Sequence, residues 1–136
     1  MNLIEFHKRL PKSERDIIIF DIDDTLFDPY TDIEITPVID FYRYLVENNY
    51  TTAIITAREN SPANFQYTLN DLERHNIRDY KFLFLRDISY DDLFLYKRDA
   101  RKQIVNYGYS PLMSIGDKRW DMGEYGGIGI LVLPNN

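Results

Sequence analysis

The amino-acid sequence predicts an α/β protein: a single three-layer, Rossmann-like domain with a five-stranded parallel sheet and helices on both faces. Apolar runs of strand length alternate along the chain with amphipathic segments of helical period. The runs are rich in β-branched and aromatic residues, which is typical of strands that are buried on both faces. Strands that alternate with helices build right-handed βαβ units, so we expect the sheet to be parallel.

The positions of the elements follow from where these runs begin and end. The pairs Thr36-Pro37 and Ser61-Pro62 each combine a capping hydroxyl with a proline at the first helical position, so they predict two helix starts. A third helix is predicted at 99–107, because Gly108 follows it as a C-terminal cap. The strands are predicted at 16–21, 51–56, 81–85, 111–116 and 128–133. A leading helix or ordered arm is predicted within 1–15, and a short helical turn at 120–125.

Composition bounds the class of protein. The chain has 136 residues, of which 44% are hydrophobic and 28% charged, so we expect one globular domain that spans 1–136. The net charge of -6 weighs against broad electrostatic binding to nucleic acid or to an anionic membrane. The sequence has no cysteine, which excludes thiolate metal sites and a cysteine nucleophile. Residues 1–20 lack the apolar core of a secretion signal, and no apolar run could span a bilayer, so a cytoplasmic location is expected.

Polar residues follow three of the predicted strands where each strand ends. Asp21 and Asp23 end the first strand, Thr56 ends the second, and Asp117 follows the fourth, with Asp121 one turn later. The carboxyl ends of parallel strands open on one edge of the sheet, where α/β proteins bind ligands. Carboxylates placed close together repel each other unless a metal ion or a shared proton relieves them. We therefore expect one pocket that contains several carboxylates and a hydroxyl.

At these residues the chain resembles the haloacid dehalogenase (HAD) superfamily of phosphohydrolases. The signature of that superfamily is a hydrophobic strand followed by D-x-D-x-T, here DIDDT at 21–25, and its last motif is G-D-x-x-x-D, here GDKRWD at 116–121. Between them, Thr56 matches the Thr or Ser that ends the second strand, and Lys97 matches a lysine at a helix start. The four motifs occur in the order of the superfamily and cover nearly the whole chain.

Shorter stretches are similar to one branch of the superfamily, the bacterial class B and plant storage-protein acid phosphatases. These stretches are FDIDDT at 20–25, FLR at 84–86, YK at 96–97 and LPN at 133–135. The YK stretch favours Lys97 as the phosphate-binding cation over its rivals Arg98 and Lys102.

The resemblance implies a reaction with defined roles for two carboxylates. Asp21 would be the nucleophile that forms an aspartyl-phosphate, and Asp23 would be the general acid and then the general base. The implied cofactor is Mg²⁺, which prefers oxygen ligands. Its implied ligands are Asp21, the main-chain carbonyl of Asp23, Asp117 and Asp121, and the implied phosphate-binding residues are Thr56, Ala57 and Lys97.

The two positions at which relatives carry a cap domain are short in this chain, 26–36 and 86–96. The resemblance is therefore to a capless member. An open site excludes water poorly, so we expect residues 28–35, a second copy of the chain in a homo-oligomer, or a large substrate to cover it.

Three functions compete at this stage. The first is a Mg²⁺-dependent phosphatase that hydrolyses a phosphomonoester on a small molecule or a macromolecule. The second is a polynucleotide 3′-phosphatase, which an open site would fit but the acidic net charge does not favour. The third is a non-catalytic binding module with the same fold, against which the full set of motif residues argues.

Overall fold

The computed structural model of the protein describes residues 2–134, so Asn135 of the LPN stretch and both ends of the predicted domain 1–136 lie outside the described residues. The strands are β1 (Asp16–Phe20), β2 (Thr51–Glu59), β3 (Phe82–Arg86), β4 (Ser110–Gly116) and β5 (Ile128–Leu131). The helices are α1 (Leu3–Arg9), α2 (Thr36–Glu47), α3 (Pro62–Arg74) and α4 (Leu93–Asn106), with a short 3₁₀ helix at Arg119–Asp121.

The five strands form one parallel sheet in the order β3-β2-β1-β4-β5. β1 lies in the middle, between β2 and β4, so the residues that follow it lie between the ends of those two strands. This architecture confirms the predicted α/β fold with a five-stranded parallel sheet.

The sheet separates two layers of helices, and β1 faces both. Ile18 and Phe20 lie in a buried cluster with residues of α2, whereas Ile17 and Ile19 lie in a second buried cluster with residues of α4. Helix α1 packs on α2, and Leu72 of α3 joins the first cluster. Burying each large apolar side chain of this kind stabilises the fold by roughly 1.5–3 kcal/mol, which explains why the central strand has no polar residue between Asp16 and Asp21.

Helix α4 begins at Leu93, six residues before the predicted start at Asp99. The side chain of Asp92 accepts hydrogen bonds from the main-chain N–H groups of Phe94 and Leu95, at 2.9 and 3.2 Å. This capping satisfies two donors at the helix start and so fixes where the helix begins. Lys97 therefore lies inside α4 rather than just before it.

Other element boundaries also differ from the prediction. Strand β2 continues to Glu59, so residues 57–59 extend the strand instead of following it. Ser61 caps α3 as predicted, because its side chain accepts from the N–H of Asn64. Thr36 does not cap α2; the helix begins at Thr36, and its cap position is Ile35, which makes no side-chain capping bond. The predicted turn at 120–125 is the 3₁₀ helix at Arg119–Asp121.

The connections at the carboxyl edge of the sheet are short. Residues 21–35 link β1 to α2, and residues 87–92 link β3 to α4, so the described part of the chain contains no cap domain. In the same part, no helix has the length and apolar character needed to cross a membrane.

Candidate active site

Asp21 occupies the position directly after β1, at the centre of the carboxyl edge of the sheet. Its main-chain N–H donates to the carbonyl oxygen of Ile115 on β4, at 3.0 Å. This bond extends the pairing of the two strands by one step and places Asp21 beside the residues that follow β4. Its side chain is largely buried, because the residue is only 8% exposed.

Asp117 and Asp121 follow β4 and lie next to Asp21. One carboxylate oxygen from each of the three residues lies within 4.8 Å of the others. Asp121 reaches this cluster because the 3₁₀ helix turns back over Gly116, where a β-carbon would overlap the Asp121 side chain. The carboxylate of Asp121 also accepts from the N–H of Lys118, at 3.1 Å, which fixes the turn.

Lys97 enters the cluster from α4 and is fully buried. Its Nζ lies 3.0 Å from the carboxylate of Asp21, 2.5 Å from that of Asp121, and 2.6 Å from the carbonyl oxygen of Ile55. Residue Ile55 is on β2, so the ammonium group joins the ends of three strands. A buried ammonium group needs such partners, because an unpaired charge in the interior is costly.

The charges of the cluster do not balance, because three carboxylates face one ammonium group. Burial, together with the adjacent carboxylates of Asp21 and Asp121, raises the pKa of Asp117 to about 7. Burial and Asp21 also raise the pKa of Asp121. Burial alone would lower the pKa of Lys97, but the attraction of Asp21 and Asp121 outweighs it and raises that pKa. A divalent cation would relieve this excess of negative charge.

The donor set fits a hard cation. Asp21, Asp117 and Asp121 offer only carboxylate oxygens, which suit Mg²⁺ or Ca²⁺ rather than the softer metals bound by thiolate or imidazole. Both of the histidines lie elsewhere: His7 is buried among aromatic side chains near α2, and His75 follows α3.

Thr25 contributes a contact that the sequence analysis did not assign. Its hydroxyl is buried, 3.2 Å from a carboxylate oxygen of Asp21 and 3.4 Å from one of Asp117. The hydroxyl therefore bridges the residues that follow β1 and β4. The only signal for it in the sequence is its place in the DIDDT stretch, four residues after Asp21.

Asp23 is not one of the three clustered carboxylates and pairs instead with Arg58 on β2. The guanidinium group donates from Nε and Nη2 to the two carboxylate oxygens of Asp23, at 3.0 and 2.7 Å. Sequence analysis missed this pair because the two residues are 35 positions apart in the chain.

Thr56 and Ala57 lie on β2 at the same edge of the sheet. Thr56 is buried, and its hydroxyl accepts from the N–H of Arg58 at 3.2 Å, while its carbonyl accepts from the Tyr96 hydroxyl at 2.7 Å. The carbonyl of Ala57 accepts from Nε of Arg86, at 3.0 Å.

All seven predicted site residues therefore lie at the carboxyl edge of the sheet. The side chains of four of them lie close together: Asp21, Lys97, Asp117 and Asp121.

Solved structures with similar folds are found at low sequence identity. The chain aligns with one from a Pnkp1/Rnl/Hen1 complex at 22% identity and a TM-score of 0.75, over 93% of this chain and 48% of that one. A chain from a Pnkp1/Rnl/Hen1 RNA repair complex gives 20% identity and a TM-score of 0.66, over 90% and 44%. This chain thus spans about half the length of both.

A third structure has a more similar length. It is a D,D-heptose 1,7-bisphosphate phosphatase from B. bronchiseptica, complexed with magnesium and phosphate, with 14% identity and a TM-score of 0.63 over 85% of this chain and 79% of that one. At these identities the likeness concerns the fold alone. No curated protein sequence matches the chain.

A family model matches residues 30–136, which is most of the chain, and it describes the acid phosphatases of HAD superfamily subfamily IIIB. The matched residues begin after the DIDDT stretch and include Thr56, Lys97, Asp117 and Asp121. The match confirms the resemblance inferred from the motifs, and the protein belongs to the subfamily IIIB acid phosphatases of the HAD superfamily.

Proposed function

We propose that the protein is a Mg²⁺-dependent phosphatase that hydrolyses phosphomonoesters through an aspartyl-phosphate on Asp21. The observation that carries the proposal is the cluster at the strand ends, where Asp21 lies beside Asp117, Asp121 and the buried Lys97. In a chain of an acid-phosphatase family, this arrangement provides a nucleophile, a cation site and a fixed positive charge.

In the first half of the reaction, a carboxylate oxygen of Asp21 attacks phosphorus and the bond from phosphorus to the ester oxygen breaks. Asp23 gives its proton to the departing oxygen, which leaves as an alcohol. In the second half, a water molecule attacks phosphorus and Asp23 takes up a proton from it. The bond between Asp21 and phosphorus then breaks, which releases inorganic phosphate and restores both carboxyl groups.

Asp21, Asp117 and Asp121, with the main-chain carbonyl of Asp23, would hold the Mg²⁺ ion. When bound, the ion supplies positive charge that offsets the negative charge of the transferring phosphoryl group. Lys97 contributes a second, permanent positive charge from inside α4, and Thr56 and Ala57 would complete the phosphate site. Electrostatic stabilisation of this kind is the main contribution that a protein makes to phosphoryl transfer.

The test is phosphate release from a panel of phosphomonoesters, measured with Mg²⁺ and with a chelator in its place. We expect turnover that requires Mg²⁺, and we expect Asp21→Asn to lower kcat by about three orders of magnitude or more, because the amide is not a nucleophile. Asp91→Asn is the matched control, since Asp91 is an exposed aspartate in the loop before α4. Appreciable activity of a folded Asp21→Asn variant would contradict the assignment of the nucleophile.

A second candidate is a polynucleotide 3′-phosphatase. The observation in its favour is the fold similarity to a chain from an RNA repair complex, together with a site that no cap domain covers within residues 2–134. An oligonucleotide with a 3′-phosphate, compared with the same oligonucleotide carrying a 5′-phosphate, separates the candidates. Turnover confined to the 3′-phosphate would favour this second function, and turnover of small esters would favour the first.

A further inference from the structure

A second buried cation of α4, Arg101, lies one turn after Lys97. It is only 3% exposed, so its guanidinium group has lost most of its contact with water. Its hydrogen-bond partners within residues 2–134 are two main-chain carbonyl oxygens: Nε donates to that of Glu124, at 2.8 Å, and Nη1 to that of Trp120, at 3.0 Å. Burying a charged group is costly, and helix packing alone would be better served by an apolar residue at this position.

The two carbonyl groups flank Asp121 in the chain. That of Trp120 comes directly before it and that of Glu124 comes after it, so Arg101 holds the segment on both sides of this carboxylate. Nε and Nη1 belong to different edges of the planar guanidinium group, so the two bonds fix the orientation of the segment as well as its distance from α4. Because Lys97 contacts the carboxylate itself, α4 holds Asp121 by its side chain and by the adjoining main chain.

The segment on which the guanidinium group acts has little regular structure of its own. The 3₁₀ helix Arg119–Asp121 is three residues long, and Gly123 after it has a φ of +120°, a conformation that favours glycine. Further along, Ser114 of β4 donates from its buried hydroxyl to the carbonyl oxygen of Gly126, at 2.7 Å. That hydroxyl fixes the end of the segment, whereas the guanidinium group fixes the part that contains Asp121.

The charge of Arg101 by itself opposes a bound cation. Burial lowers the pKa of the guanidinium group, and the nearby charges of Asp121 and Glu124 oppose that shift. An arginine remains protonated in proteins, so Arg101 brings positive charge close to a carboxylate of the cluster. Positive charge at this place repels a divalent cation. A favourable effect of Arg101 on cation binding must therefore come from the geometry that it imposes and not from its charge.

We propose that Arg101 is a positioning residue that holds Asp121 in place for the Mg²⁺ ion; this inference rests on the cation site of the proposed phosphatase. A metal ligand that is fixed by a further contact binds its ion more tightly, and loss of such a contact typically costs about 10–100-fold in affinity. Arg101 donates to the main chain on either side of Asp121, so its effect on the cation passes through that residue.

Titration calorimetry of Mg²⁺ binding, in the absence of substrate, separates geometry from charge. Arg101→Lys keeps the charge but has no planar fork to bind both carbonyl groups, and Arg101→Met removes the charge as well. We expect the Kd for Mg²⁺ to rise at least about tenfold in Arg101→Lys, and to rise in Arg101→Met too. Mass action overcomes a weakened site, so we expect saturating Mg²⁺ to restore kcat for p-nitrophenyl phosphate to within about threefold of the unmodified protein.

Arg78→Lys is the matched control. Arg78 is an exposed arginine that pairs with Glu73, and it lies before β3, at the opposite edge of the sheet. We expect this variant to bind Mg²⁺ with an unchanged Kd. Circular dichroism and thermal unfolding without Mg²⁺ verify that each variant is folded. If Arg101→Met does not fold, the conservative Arg101→Lys decides the test.

An unchanged Kd in a folded Arg101→Lys variant would overturn the inference, because Arg101 would then contribute to stability alone. A lower Kd in Arg101→Met would also overturn it, since the charge of the residue would then outweigh its geometry. A kcat that saturating Mg²⁺ does not restore would place the effect of Arg101 elsewhere than at Asp121. Absence of Mg²⁺ binding by the unmodified protein would instead overturn the cation site of the proposed function, and this inference with it.

Discussion

At the scale of single residues, the site depends on close approach of groups that repel. Asp21, Asp117 and Asp121 lie together although each carries negative charge when ionised, and Lys97 offsets part of that charge. The pairing of β1 with β4 and the main-chain bond from Asp21 to Ile115 hold the strand ends together. Gly116 matters for the same reason, since it leaves room for the Asp121 side chain to turn back.

Gly116→Ala tests that close approach. The added β-carbon would overlap the side chain of Asp121, so we expect Asp121 to be displaced and the affinity for Mg²⁺ to fall at least about tenfold. Isothermal titration calorimetry measures the change. Asp91→Asn in the exposed loop before α4 is the control, because Asp91 lies outside the carboxylate cluster. Unchanged Mg²⁺ affinity in Gly116→Ala would contradict the place of Asp121 in the cation site.

Proton release on Mg²⁺ binding tests the electrostatics of the cluster. Burial and the neighbouring carboxylates raise the pKa of Asp117 to about 7, so near and below this pH a proton competes with the cation. We expect the apparent affinity for Mg²⁺ to fall as pH drops below 7, by up to about tenfold per pH unit. Titration calorimetry between pH 5.5 and 8, in buffers with different ionisation enthalpies, measures affinity and proton release together. An affinity that does not change with pH would contradict a protonated Asp117.

At the scale of elements, the site is assembled from loops and helices whose ends are fixed by specific caps. Helix α4 carries Lys97 into the cluster, and the Asp92 cap determines where that helix starts. The connection from β1 to α2 is tied to the end of α3, because both ring nitrogens of His75 lie within 2.9 Å of carboxylates on that connection, those of Asp32 and Glu34. Arg74 pairs with Asp32 as well, so the connection that borders the open site is fixed at more than one point.

Asp92→Ala tests the cap of α4. Loss of the side-chain acceptor leaves the N–H groups of Phe94 and Leu95 without their partner, so we expect the free energy of unfolding to fall by about 1 kcal/mol. Urea denaturation measures the change. Asp91→Ala removes the same charge one residue earlier, from an exposed side chain that does not cap the helix, and we expect it to change stability by less than about 0.5 kcal/mol. Equal effects of the two substitutions would contradict the capping role.

At the scale of the whole molecule, an acidic chain places three carboxylates at the centre of one edge of its sheet. Asp21 follows β1, whereas Asp117 and Asp121 follow β4. These two strands pair only in the folded chain, so the cluster exists only there. Binding of a cation to this cluster therefore stabilises the native state as a whole, because the unfolded chain cannot offer the same ligands.

Thermal unfolding with and without Mg²⁺ tests this coupling. We expect Mg²⁺ to raise the midpoint of unfolding, and at a concentration about 100 times the Kd the gain in stability is about 2.7 kcal/mol. A chelator should reverse the effect. Asp117→Asn is the matched variant, and we expect its midpoint to respond to Mg²⁺ much less than that of the unmodified protein. An equal response of both would place the cation elsewhere on the molecule.

The sequence by itself determined the fold and the edge of the sheet at which the site lies. Apolar runs that alternate with helical patterns are local signals, and the polar residues at their ends are placed by topology once the sheet is parallel. Asp21, Asp23, Thr56, Asp117 and Asp121 could therefore be assigned to one edge of the sheet from the sequence alone.

Only the tertiary structure decided which side chains touch. The start of α4 at Leu93 was missed because one capping bond, rather than a periodic pattern, fixes it. The bond of Thr25 to Asp117 and the chain of contacts from Asp23 through Arg58 to Asp71 join residues far apart in sequence. Such contacts depend on how strands and helices pack in three dimensions, and no local pattern of residues records them.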